Sequence, residues 1–357
     1  MRSVANVLAQ LNRNGLPETL YLETGPVRLA VRCNIPMAVE LRHHLKEALA
    51  AAGPVAATID VLEGQSLSTP PEWIDWAREP GKTGRKDAYF DLDDGRLVHK
   101  IRTGLTFLQS PQALTAFGPC LAYPNQVINF INTQILNICK RDGWEICHAA
   151  AVTDGYKGLA IAGLSGGGKS TAILRMMDLE PTRFVTNDRL MVRAAPNDTE
   201  GLGIPKNPRI NPGTILHNPR LAPLLSEERK RELLQMPPED LWQLEEKHDL
   251  FISEVYGPDR ISFSAPLTEF WVLNWSRTST EPTRLLDADL TQRPDLLGAI
   301  MKSAGPFFQD ASGVFLQDDD PLEPDAYLRQ LKSVRIREVT GAIDFDALAA
   351  TGKDLFV

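Results

Sequence analysis

The chain has 357 residues, of which 43% are hydrophobic, and its formal net charge is −8. This length allows one large domain or two ordinary ones with a substantial core. The acidic balance argues against a nucleic-acid binder, and no apolar run is long enough to cross a bilayer, so we expect no membrane partner. The first residues lack the apolar core of a signal peptide, and the four cysteines are dispersed. We therefore expect a cytoplasmic protein with reduced thiols.

The first 80 residues predict a small α/β module without a catalytic constellation. A stretch rich in Pro, Gly and charge over 69–86 predicts a connector, so we place the domain boundary near residue 80. Apolar periodicity and turn residues define the elements of this module. In chain order they are a helix over 3–13, strands over 20–23 and 27–32, a helix over 35–52 and a strand over 56–62.

The second domain, over 81–357, begins with β structure. Alternating residues around Asp94-Gly95 predict a β-hairpin over 88–101. One apolar stripe predicts a helix over 124–141. An apolar run over 144–152 then predicts a strand, which ends at the turn Asp154-Gly155.

A phosphate-binding loop follows this strand at once. The residues from Gly163 to Ser170 fit G-x-x-x-x-G-K-[ST], between an apolar run typical of a buried strand and a helical segment over 170–177. Glycines let backbone N–H groups converge on phosphate oxygens, and the helix N-terminus adds its positive dipole end. Lys169 can reach the β- and γ-phosphates, and Ser170 can ligate Mg²⁺. The predicted ATP·Mg²⁺ site comprises Gly163, Leu164, Ser165, Gly166, Gly167, Gly168, Lys169, Ser170 and Thr171.

The chain after the loop helix leaves no room for a helical crossover. A short strand over 182–186 ends at Asn187-Asp188, and strand residues over 190–193 follow directly. Because parallel strands need a crossover, we predict that these two strands pair antiparallel in a mixed sheet. The Gly- and Pro-rich loop over 201–213 carries two basic residues, Lys206 and Arg209, which are candidates for the acceptor side. The remaining predictions are a helix over 221–247, strands over 251–256 and 267–275, helices over 294–302 and 324–332, a strand over 334–339 and a helix over 345–350.

The ordered set of motifs resembles the HPr kinase/phosphorylase superfamily, whose nucleotide fold is shared with phosphoenolpyruvate carboxykinase. It is most similar to the HPr-kinase-related proteins of the kinase B type. The matching features are His148 before the loop, Asn187-Asp188 at the strand end, the run 201–204 and the stretch 102–108. The resemblance implies an α/β (α+β) P-loop kinase domain with a mixed sheet. It also implies transfer of the γ-phosphate of ATP, with Mg²⁺, to a Ser or Thr hydroxyl.

The resemblance also implies the catalytic residues, with one departure. Asp188 would ligate the metal or act as base, and His148 would face the acceptor hydroxyl. Lys169 would hold the phosphates in the same site. The family usually has Asp-Asp where this chain has Asn187-Asp188, and Asn cannot act as a general base. Asn187 could still orient a hydroxyl or a metal-bound water.

Alternatives stay open at this point. His148 could be a core histidine, Asp188 a strand-end cap or a partner of Arg189, and the two loop cations could be solvated. Besides a protein kinase, the candidate functions are a small-molecule kinase, a phosphorylase, and an ATP-binding regulatory module without catalysis. The acceptor and the oligomeric state cannot be read from the sequence, which leaves a homo-oligomer open.

Overall fold

The computed structural model describes residues 2–78, 83–163, 167–244 and 246–356, with backbone alone at 242 and 243. The chain forms two compact units. The first comprises Met1–Trp144 and a returning segment, Ser303–Leu322, and the second comprises Glu145–Lys302 and Glu323–Val357. The division therefore lies at Trp144 and not near residue 80, where we predicted the domain boundary.

The first unit contains a nine-stranded sheet in the order β3-β1-β2-β4-β9-β8-β7-β6-β5. The predicted boundary falls inside this sheet, because β4 pairs in parallel with β9 and so joins residues from both sides of it. The hairpin predicted around Asp94-Gly95 is present as β6–β7, and the strands predicted over 20–23 and 27–32 pair antiparallel as β1–β2. The helices are α1 (Val4–Leu8), α2 (Ile35–His44) and α3 (Pro124–Arg141); the strands are β1 (Glu18–Thr24), β2 (Val27–Cys33), β3 (Leu49–Ala50), β4 (Ala57–Glu63), β5 (Ile74–Asp75), β6 (Asp87–Leu92), β7 (Gly95–Lys100), β8 (Thr106–Gln109) and β9 (Leu114–Gly118).

The returning segment is held in the first unit by a fully buried arginine. The guanidinium of Arg96 donates to the carbonyl oxygens of Pro306 at 3.2 Å and Leu316 at 2.8 Å. It also lies 4.5 Å from the ring centre of Tyr89 and 4.6 Å from that of Phe315. Cation–π contacts and charged hydrogen bonds thus replace the water that the cation loses.

The second unit is built on a mixed six-stranded sheet in the order β13-β11-β12-β19-β21-β20, with a four-stranded sheet β10-β14-β15-β18. Strands β12, β19 and β21 are mutually parallel, and the other pairings in the larger sheet are antiparallel. The helices are α4 (Lys169–Met177), α5 (Pro212–Leu216), α6 (Glu227–Gln235), α7 (Pro238–Gln243), α8 (Ile252–Val255), α9 (Pro294–Ile300), α10 (Pro324–Gln330) and α11 (Phe345–Phe356). The strands are β10 (Glu145–Cys147), β11 (Ala150–Thr153), β12 (Gly158–Gly163), β13 (Arg183–Thr186), β14 (Leu190–Ala194), β15 (Thr199–Leu202), β16 (Arg209–Ile210), β17 (His248–Asp249), β18 (Ser264–Pro266), β19 (Glu269–Leu273), β20 (Arg284–Asp287) and β21 (Arg335–Thr340).

Strand β12 is buried along its whole length, as the apolar run predicts. Its alternating side chains enter two separate cores. Leu159 and Ile161 pack into the core that contains α4, and Ala160 and Ala162 pack into the core on the opposite face. This double coverage fixes the strand that leads into the glycine loop.

The chain passes between the two sheets at two adjacent places. Strand β10 pairs with β14, and β11 pairs with β13, so the chain changes sheets after Cys147 and again after Thr186. The predicted antiparallel pairing of 182–186 with 190–193 is therefore wrong, because the two strands lie in different sheets. The predicted strand over 144–152 is likewise two strands. The connection between β13 and β14 is a bend of three residues, without a helical crossover.

The segment between β15 and β18 differs most from the sequence prediction. The helix predicted over 221–247 is interrupted, and Pro237-Pro238 separates α6 from α7. The strand predicted over 251–256 is wrong, since α8 occupies this stretch. Ile252 and Tyr256, four residues apart, share one core there, as helical spacing requires. Among the described residues, no helix is both long and apolar enough to cross a membrane.

Candidate active site

The glycine loop joins β12 to α4. Helix α4 begins at Lys169, and its N-cap Gly168 has φ +88°, a conformation that favours glycine. A Cβ at this position would lie 2.6 Å from Cζ of Phe345. The Lys169 ammonium donates to the Gly163 carbonyl at 3.4 Å, so it reaches back across the loop. Three predicted loop residues, Leu164, Ser165 and Gly166, lie outside the described residues.

The loop lies at the carboxyl edge of the parallel strands. In the register of the parallel strands, Gly163 at the end of β12 pairs with Leu273 at the end of β19, and Leu273 pairs with Val339 of β21. Two residues after β19, the Trp275 indole donates to the Gly167 carbonyl at 2.9 Å. This edge is where open α/β sheets bind ligands. The sequence did not indicate that Trp275 and Phe345 support the loop.

The first turn of α4 carries the other predicted nucleotide ligands. Ser170 and Thr171 are both half-buried. The hydroxyls of Thr171 and Thr214 lie 2.8 Å apart, which ties α4 to α5. The Thr171 hydroxyl is thus engaged by the protein, whereas Ser170 follows Lys169 at the position that the motif gives to a metal ligand.

The carboxylate of Asp188 lies at the bend between the two sheets. Strand β13 ends at Thr186, as we predicted. The Nε2 atom of His148 is 3.4 Å from Oδ1 of Asp188, and Nε of Arg189 donates to Oδ2 at 3.3 Å. His148 occupies the matching bend between β10 and β11. The pairing of β10 with β14 and β11 with β13 therefore brings the two side chains together.

Positive charges from several elements act on Asp188. Burial acts to raise the pKa of this carboxyl, but the hydrogen bond and charge of His148 and the charges of Arg189 and Lys206 outweigh it. The pKa is held well below its ordinary value. The Asp188 side chain keeps 47% of its surface exposed, so it remains open to a ligand.

Two lysines share Asp188 as their counter-ion. Burial lowers the pKa of Lys169, the charge of Asp188 opposes this, and the positive charge of Lys302 lowers it further. Burial also lowers the pKa of Lys206, and again Asp188 opposes it. Lys169, Lys206 and Arg189 thus all act on Asp188, and this concentration of positive charge favours a polyanionic ligand.

Asn187 has a buried amide oxygen. Within the described part of the chain, its Oδ1 has no hydrogen-bond partner. A buried acceptor without a donor costs free energy unless a ligand or water supplies one. A hydroxyl or a metal-bound water would supply the donor that this amide oxygen lacks among the described residues.

The two candidate acceptor residues have different surroundings. Lys206 lies within electrostatic range of Asp188, as described above. Arg209 is exposed and forms an ion pair with Asp249 at 3.0 Å, across the short β16–β17 ladder. Lys302 is a further cation near Lys169 that sequence reasoning missed, because it was read as the end of a helix.

The oxygen donors of Ser170 and Asp188 would suit Mg²⁺ together with the phosphates of a nucleotide. In the described ranges, no cluster of three or more His, Cys, Asp or Glu side chains is placed to hold a metal. Mg²⁺ is commonly bound by one or two carboxylates together with substrate phosphates and water. A serine hydroxyl and one carboxylate, Ser170 and Asp188, are donors of that kind.

Comparison with known proteins yields structural similarity without a sequence match. No protein-family model matches the sequence, and no curated protein matches it. Among solved structures, the HPr(Ser) kinase/phosphatase from Coxiella burnetii is similar with a TM-score of 0.30 and 10% identity, over 59% of this chain and 93% of that one. The interpretation of the site therefore depends on the residues of this chain.

Proposed function

We propose that this chain is an ATP-dependent phosphotransferase of the HPr-kinase-related type, which transfers the γ-phosphate to a hydroxyl group. The observation that carries the proposal is the position of Asp188. It contacts His148 at 3.4 Å and acts electrostatically on Lys169 of the glycine loop. One carboxylate is thereby shared by the loop that would bind ATP and by the histidine that would face the acceptor.

Phosphoryl transfer asks the protein mainly for positioning and charge stabilisation. The loop amides, the N-terminus of α4 and Lys169 would hold the triphosphate. Ser170 and Asp188 would hold Mg²⁺, which supplies charge neutralisation at the phosphates when bound. Lys206 would stabilise charge on the acceptor side.

The acceptor hydroxyl would meet His148 and Asp188. A carboxylate with a depressed pKa accepts a hydrogen bond well but accepts a proton poorly. With its pKa depressed, Asp188 therefore suits a hydrogen bond from the acceptor hydroxyl better than removal of the hydroxyl proton. If Asp188 holds Mg²⁺, the charge of the metal lowers its pKa further and the carboxylate would not take the proton. If Ser170 and the phosphates hold the metal without it, a bound polyanion would offset the surrounding cations and raise the pKa of Asp188 toward its ordinary range, which improves it as a base.

The acceptor that we propose is Ser or Thr of a protein or peptide, with a small-molecule hydroxyl as the competing class. Transfer from γ-labelled ATP·Mg²⁺ to a panel of both classes distinguishes them. We expect Asp188→Asn to lower the transfer rate by about 100-fold or more while ATP binding persists. Asn187→Asp restores the acidic pair, and we expect it to retain or increase transfer. Transfer by Asp188→Asn at the wild-type rate would exclude a catalytic carboxylate.

The departure at Asn187 favours a second candidate, an ATP-binding regulatory module without catalysis. A neutral amide cannot take a proton from a hydroxyl. Tight ATP binding by the wild type, with no transfer to any acceptor of either class, would establish this function in place of the kinase.

A further inference from the structure

Lys302 follows the end of helix α9, and a tyrosine holds its backbone. Tyr327 is buried, and its hydroxyl donates to the Ile146 carbonyl at 2.8 Å. The same hydroxyl lies 3.1 Å from the Lys302 carbonyl oxygen and accepts from the Lys302 amide at 3.2 Å. A single phenolic group thus ties Lys302 to the strand that precedes His148.

The two residues before Lys302 are joined to the same strand. The amide of His148 donates to the Ile300 carbonyl at 2.7 Å, and Met301 forms an antiparallel bridge with Cys147. The backbone of Lys302 is therefore placed beside His148 by contacts on three successive residues. Several contacts that fix the backbone of one residue are typical of a binding site, where a side chain must be held in a defined position.

Lys302 therefore lies beside the residue whose imidazole is 3.4 Å from the Asp188 carboxylate, and its charge also acts on Lys169 of the glycine loop. Two ammonium groups within electrostatic range repel each other, and partial burial weakens the screening by water. A polyanion between them would turn this repulsion into two attractions. Two lysines held in this way are suited to a phosphate group.

We propose that Lys302 is a second lysine of the phosphate site, which binds the terminal phosphate of a nucleoside triphosphate from the side of His148, and that Tyr327 positions it. This inference rests on the proposed function. Lys169 would approach the phosphates from the loop, whereas Lys302 would approach from the end of α9 beside His148, where the acceptor would lie. The terminal phosphate is the one that points toward the acceptor. Lys302 therefore discriminates the triphosphate from the diphosphate.

Calorimetric titration of the full chain with ATP·Mg²⁺ and ADP·Mg²⁺ tests this inference. Lys302→Met removes the charge and keeps the aliphatic stem. We expect it to weaken ATP binding about tenfold and ADP binding less than about threefold. Lys302→Arg keeps the charge and should restore most of the ATP affinity. Lys332→Met removes an equal charge from an exposed site in the same unit and should change neither affinity.

Tyr327→Phe tests the positioning residue. It keeps the ring and removes the hydroxyl, so we expect a lower preference for ATP over ADP, in the same direction as Lys302→Met. A purely structural tyrosine would lower the unfolding temperature and leave the ATP-to-ADP affinity ratio unchanged.

The outcomes separate this inference from the proposed function. Absence of ATP binding by the wild type would contradict both the proposed kinase function and the role of Lys302. ATP binding that depends on Lys169, with an unchanged ATP-to-ADP ratio in Lys302→Met, would overturn the role of Lys302 alone. A reduced ratio in Lys302→Met that Lys302→Arg restores would establish that role.

Discussion

Gly203 lies directly against the strand end that carries the candidate catalytic residues. A Cβ at this position would lie 2.0 Å from the Val185 carbonyl oxygen and 3.1 Å from Cβ of Thr186. Gly201, two residues earlier, would place its Cβ 3.5 Å from its nearest neighbour, an ordinary contact. Gly203→Ala and Gly201→Ala thus form a matched pair with opposite expectations.

The magnitude follows from the overlap. Ordinary contact begins near 3.4 Å, so the Val185 oxygen or residue 203 must move by about 1.4 Å. Overpacking of this kind costs about 1–3 kcal/mol of the free energy of unfolding. The shift reaches the bend that begins at Asn187, and a misplacement of about 1 Å can reduce a catalytic rate about 100-fold.

Urea unfolding and phosphoryl transfer measure the two effects. We expect Gly203→Ala to lose stability and about two orders of magnitude in transfer rate, with Gly201→Ala close to wild type in both. Equal stability and activity in the two variants would refute the reasoning. Lost stability with unchanged transfer would show that the bend is not coupled to catalysis.

Two further predictions concern stability. Arg96→Met leaves the buried carbonyl of Pro306 and the partly buried carbonyl of Leu316 without this donor and Asp91 without its ion-pair partner, and we expect a loss of about 2–4 kcal/mol in urea unfolding of the first unit. Arg85→Met, which removes an exposed arginine paired with Asp75, should change little, and equal effects would contradict the role of Arg96. A hydrogen bond from Arg293 lowers the pKa of Glu338, against a smaller opposing effect of burial. Because the folded-state pKa is depressed, the stabilisation is present above the ordinary value of about 4.5 and is lost as the pH falls through the folded-state value. The difference in unfolding free energy between wild type and Glu338→Gln should therefore be largest near pH 7 and shrink below about pH 4; a constant difference would contradict this.

Local patterns predicted the elements around the loop. The helix at Pro124–Arg141, the hairpin at Asp94-Gly95 and the strand, loop and helix order at Gly163 depend on periodicity and turn residues within short windows. The end of β13 at Thr186 was also predictable, because two polar residues follow an apolar run.

The features that the sequence did not predict depend on contacts between residues far apart in the chain. The change of sheet after Cys147 cannot be read from a run of strand-forming residues, because it depends on which partner each half finds. The domain boundary failed for the same reason, since β4 pairs with β9, which follows the predicted boundary in the chain. The contact between Lys302 and Tyr327 joins residues 25 positions apart, and nothing local in the sequence marks it.

The most direct measurement is the affinity of the full chain for ATP·Mg²⁺, with and without the loop lysine. A phosphate site built on Lys169 predicts measurable ATP binding by the wild type. It also predicts at least about a tenfold loss in Lys169→Ala, or about 1.4 kcal/mol, with an unchanged unfolding temperature. Lys353→Ala, an exposed lysine of the same unit, should bind ATP like the wild type. Equal ATP affinity in Lys169→Ala and the wild type would contradict the phosphate site on which the proposed kinase depends.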